Sequence, residues 1–92
     1  MCNASEKQIR IASKMYECRD TARKLFRENY QERLKSWMES IQQIARGHRC
    51  SVMEAGLKML KCLASDTGTS GMSIMLCTAA VVELIEPTTE AD

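Results

Sequence analysis

His48 and Cys50 stand two residues apart, and Cys62 follows a helix length later, which gathers in one stretch residue types that ligate metals or attack carbonyl carbons. Zinc is ordinarily held by four ligands in paired Cys-x₂₋₄-Cys or His-x₃₋₅-His spacings, and neither spacing occurs here. A Cys–His nucleophile pair needs a third group to orient the imidazole and donors to receive an oxyanion, and the sequence signals neither. The plain reading is a loop histidine beside a half-buried thiol, with no catalytic residue and no metal ligand. Glu17, Asp20, Glu28, Glu32 and Glu39 each have a basic neighbour within one helical turn, so surface pairing accounts for them without general acid or base work. Gly68 and Gly71 sit in a Ser/Thr-rich turn with no lysine to reach a phosphate, which removes nucleotide binding. The expectation is a chain that is not an enzyme, takes no cofactor and has no evident small-molecule substrate.

The basic residues offer a different chemistry. Arg19, Arg23 and Arg27 recur at every fourth position, Tyr16 is rotated only slightly from them, and Arg10 and Lys14 lie on the opposite flank of the same helix. Arginines ranked beside an aromatic can grip phosphates or an acidic protein surface, whereas a charge run with no partner is simply a solvated face. Tyr16, Arg19, Arg23 and Arg27, with Arg10 and Lys14 as a second patch, are the candidate partner-binding residues. The whole-chain balance of 13 basic to 12 acidic residues conceals them. Residues 1–50 carry eleven basic and six acidic groups, and residues 51–92 carry two and six. Nucleic acid is the alternative partner. The segments on either side of Gly47 have the layout of a helix-turn-helix, but the would-be reading helix offers Glu54, Lys58 and Lys61 and no Arg, Asn or Gln to reach base edges.

The elements that must position these groups are helical. Ser5 and Gln8 have capping-box spacing, and Ile11, Met15, Cys18, Ala22 and Leu25 then share one stripe, with Phe26 beside it. The stripe changes phase at Glu28-Asn29-Tyr30 and continues as Tyr30, Leu34, Trp37, Ile41 and Ile44. This predicts a turn there and a second helix from about 31 to 46, ended by Gly47 in a left-handed C-cap, with one continuous helix over 6–46 as the rival. Ser51 and Glu54 form a second capping box before a helix over 52–64 whose apolar face reads Met53, Leu57, Leu60 and Ala64. Residues 65–71 are all turn formers. Residues 72–86 are apolar on nearly every side; Val81 and Val82 admit a strand, but with no second strand to pair with, the segment reads as a central helix stopped by Pro87.

The predicted fold class is all-α: a compact bundle of three or four helices in one domain over 1–86, with a short acidic tail over 87–92. The first two helices form an antiparallel pair, and 72–85 packs between or across them. Five cysteines, an odd number with no Cys-x-x-Cys pair, suit a reducing compartment and hence the cytoplasm. Charges interrupt the N-terminus, so no secretory signal is read there, and the apolar stretch 72–85 is too short to span a bilayer. Seven methionines give a deformable core.

In length, helical texture and polarised charge the chain resembles small cytosolic Met- and Cys-bearing helical proteins encoded by bacteriophages and prophages, and it is similar to anti-CRISPR inhibitors. The resemblance rests on size and texture across the whole chain and carries no residue-level motif. It implies a non-enzymatic protein in the host cytoplasm that occupies a surface of a protein or ribonucleoprotein complex and blocks nucleic-acid access.

Overall fold

A computed structural model describes residues 6–86, with side chains from Arg10 onward. Every regular element in that span is helical: α1 (Glu6–Phe26), a 3₁₀ turn (Arg27–Asn29), α2 (Tyr30–His48), α3 (Val52–Ser65) and α4 (Gly71–Ile85). The Ser5–Gln8 box and Pro87 with its tail lie outside the described residues. None of these helices is long and apolar enough to cross a membrane.

The apolar segment is α4, and it is a helix rather than a strand. Leu76 through Glu83 are all buried. Such a helix satisfies its own backbone and then needs neighbours on every side, so α1, α2 and α3 all pack against it. Met15 and Ala22 of α1, Tyr30, Leu34 and Ile41 of α2, and Ala55 of α3 complete the core around it. The Ser70 hydroxyl accepts from the Ser73 N–H at 3.2 Å and caps the start. Buried Thr78 returns its hydroxyl to the Ile74 carbonyl at 2.7 Å, leaving no polar group stranded there.

The phase change in the sequence is a real elbow. Arg27 has φ 50°, a left-handed conformation, and the chain re-enters right-handed helix at Tyr30, so two helices rather than one cover 6–48. Tyr30, Leu34 and Ile41 are buried as their stripe predicts, with Trp37 and Ile44 half-buried beside them. The expected pairing of the first two helices needs correction: α1 packs chiefly on α4 and touches α2 little.

Three further expectations are corrected. Gly47 does not end α2; the helix continues to His48, and Arg49 takes the left-handed position with φ 53°. Its N–H reaches the Arg46 carbonyl at 3.3 Å, and that of Cys50 reaches the Ala45 carbonyl at 3.0 Å, a Schellman arrangement with arginine where glycine is usual. On α1 the buried stripe is rotated from the predicted one: Met15 and Ala22 are inside, Cys18 is half-buried, and Ile11 and Leu25 remain exposed, because Arg19 takes a place in the seam.

On α3 the capping box forms as expected, with the Ser51 hydroxyl accepting from the Glu54 N–H at 3.1 Å. The face turned inward, however, is built on Ala55 and Gly56, with Val52, Met59, Leu60 and Leu63 at its margins, while Met53, Leu57 and Ala64 stay exposed. The reason is steric. A Cβ placed on Gly56 would lie 3.0 Å from Val81 Cγ1 and closer still to Cγ2, so small residues let α3 and α4 approach.

The two glycines should therefore respond oppositely to alanine in urea unfolding. Gly56→Ala overpacks the contact with Val81 and should destabilise the fold by about 1–3 kcal/mol. Gly47→Ala, in a helical turn with nothing within 4 Å of the new methyl, should stabilise it by roughly 0.5–1 kcal/mol.

Candidate functional site

Glu83 is the one charge in the buried run of α4, at 4% exposure, and a charge there needs partners. Tyr30, the first residue of α2, supplies a phenol whose O–H donates to Glu83 Oε2 at 2.7 Å. Arg19 of α1 brings Nη1 to 4.0 Å from the same oxygen and donates to the Glu86 carbonyl at 2.9 Å. The Tyr16 hydroxyl donates to the Glu86 carboxylate, and the Arg19 guanidinium lies over the Tyr16 ring at 5.1 Å from its centre. One polar knot thus ties α1 and α2 to the C-terminal end of α4.

Burial and the neighbouring Glu83 carboxyl push the Tyr30 phenol well above its ordinary range; Arg19 and Arg23 offset part of this. Tyr16 is raised chiefly by its hydrogen bond to Glu86. Burial raises the Cys18 thiol, with an opposing contribution from Thr78, and pushes the Cys77 thiol up to about 11. The four described cysteines, Cys18, Cys50, Cys62 and Cys77, are free thiols.

The six candidate partner-binding residues thus occupy three different settings. Tyr16 and Arg19 face the end of α4 and are engaged within the fold. Arg23, half-buried, and Arg27, exposed, line an open groove of about 540 Å³ at the elbow, together with Asp20, Lys24, Glu28 and Tyr30. Arg10 and Lys14 are exposed on α1 away from that groove. Arg33, on α2, stacks its guanidinium over the Phe26 ring at 5.3 Å and frames the elbow.

Sequence reasoning places Tyr30 in a buried stripe but gives neither it nor Glu83 and Glu86 a part in a polar site. The available signal was Glu83 itself, a lone carboxylate in an apolar helix, whose partners had to come from elsewhere in the chain. His48 is exposed and Cys50 half-buried, and among the described residues no three of His, Cys, Asp and Glu gather as a metal site would require.

Tyr30→Phe leaves the Glu83 carboxyl buried without its phenol donor and should cost about 1–3 kcal/mol in urea unfolding. Alkali should act through Cys77. Its folded value exceeds the ordinary 9.0, so its contribution is complete below pH 9 and is lost as the pH rises through about 11. The Tm of the native chain should fall over this interval, and Cys77→Ala should flatten the fall. Tyr30, also raised, continues the decline above pH 10.

Comparison with family models, with curated proteins and with solved structures finds no match to this chain, so the reading of its function rests on the residues described above.

Proposed function

We propose that this chain is a non-enzymatic binding protein that occupies an acidic surface of a protein or ribonucleoprotein partner, with the elbow between α1 and α2 as its contact. The observation that carries this reading is Arg27. It holds a left-handed conformation that costs an L-residue on the order of 1–2 kcal/mol and that glycine adopts freely. Backbone cost borne by a long cationic side chain at the mouth of an open groove points to a use for that side chain. Arg23 and Lys24 share the groove, and Tyr30 anchors it to the core through Glu83. Arginine beside tyrosine is the combination enriched where binding energy concentrates.

Arg10 and Lys14 extend the basic surface along α1 as a second, weaker contact. Tyr16 and Arg19 support the elbow from behind, since both are tied to Glu86. As a four-helix bundle, the fold has α4 hold α1 and α2 at the fixed angle that shapes the groove. The likeness to anti-CRISPR inhibitors gives the class of partner: a host defence ribonucleoprotein in the cytoplasm, blocked at a site where nucleic acid would otherwise enter.

The immobilised chain should capture its partner from a bacterial lysate with and without nuclease. Lys24→Glu combined with Arg27→Glu should abolish capture while the circular dichroism spectrum stays unchanged, because both side chains are exposed. Arg19→Glu should instead unfold the chain by setting a third carboxylate against Glu83 and Glu86. Unchanged capture by the folded double variant overturns the proposal. Direct retention on nucleic acid, falling steeply with salt, would favour the small nucleic-acid-binding regulator.

A further inference from the structure

The outer side of α3 is apolar and exposed. Met53 and Leu57 are 39% and 44% exposed, and Ala64 is exposed in line with them, although the inner side of the same helix is already packed on α4 and α2. Apolar residues therefore run around most of the circumference, and Glu54, Lys58, Lys61 and Ser65 confine the polar arc to one narrow strip. A helix packed on one side needs only one such face. Met53, Leu57, Leu60 and Ala64 recur at steps of four, three and four, the spacing of a coiled-coil seam, with Leu60 half-buried at its inner edge.

We infer that this face is the docking surface for a second copy of the chain, with the two α3 helices antiparallel about a two-fold axis. The flanking charges select that occupant. Glu54 and Lys61 stand one residue beyond Met53 and Leu60, on the same flank and one heptad apart. When Leu57 packs against Leu60 of the second copy, Met53 meets Ala64 of the second copy, large against small, and Glu54 comes beside Lys61 of the second copy. Symmetry repeats each contact, as a self-complementary interface requires. A parallel pair would align the same flank with Gly56 and Leu63, which offer no charge, so the complementarity exists only in the antiparallel arrangement. The capping box engages Glu54 through Oε1 at 3.4 Å. The surface is separate from the basic elbow, and two copies would present two elbows.

Sedimentation equilibrium of the full chain across a wide range of concentration tests this. The mass should pass from one copy to two. Leu57→Lys, at an already exposed position, should weaken association on the order of a hundredfold without changing the helical spectrum. Lys61→Glu should weaken it several-fold by placing like charges together, and adding Glu54→Lys should restore it even though the capping box is lost. A monomer at every concentration, association indifferent to Leu57→Lys, or a double variant no better than Lys61→Glu alone would each overturn the inference.

Discussion

A helix with no polar face has to be covered on every side, and in this chain that requirement falls on α4. The other helices are arranged to meet it. Each contributes one inward line that includes small, fully buried residues, Ala22 on α1 and Ala55 on α3, and at Gly56 of α3 the approach to Val81 leaves no room for a Cβ. Ala79 and Ala80 on α4 are fully buried as well, and Val81 is the α4 residue that meets Gly56. The cost of an otherwise unbroken apolar helix is that any polar group on it must find its partner in a neighbour. Thr78 solves this locally through its own backbone, whereas Glu83 draws a tyrosine from α2 and brings an arginine from α1 beside it.

The strongest signals in the sequence are the ones that depend on local chemistry. The Ser51–Glu54 cap, the polar turn before α4, the break between α1 and α2 and the helical character of 71–85 are all readable from residue type and spacing. What is not readable is rotation about a helix axis. Counting large apolar residues puts Leu57 and Met53 inside α3, but packing at α4 is governed by how near two backbones can come, and that favours Gly56. Counting also places Arg19 on a solvated ridge, but its partner lies 64 residues further along, and periodicity within α1 cannot reveal it. The end of α2 eluded the pattern for a related reason. Glycine is the usual left-handed residue, so Gly47 attracts the assignment, while the hydrogen bonds select Arg49.

α2 is entered and left through arginines in left-handed conformation, Arg27 and Arg49. Neither end uses the residue that backbone energetics would choose. At the first end the side chain opens on a groove lined by Arg23 and Lys24 together with Asp20 and Glu28. The basic excess of the N-terminal half is not spread evenly over its surface. Part of it turns inward to meet the acids at the end of α4, and the exposed remainder lies along α1, at the elbow, and on α2 and its end at Lys35, Arg46 and Arg49.

The order in which the chain is synthesised gives the central helix a further meaning. α4 follows α1, α2 and α3 in the sequence, and the hydrogen bonds that fasten it to α2 and α1 join residues 53 and 70 positions apart. During translation the first three helices emerge before the element on which they pack, with their inward faces open to solvent or to one another. Their local caps and turns can form early, but the core cannot close until the last helix arrives. The closing of the core is thus tied to the appearance of α4 rather than to the helices that precede it.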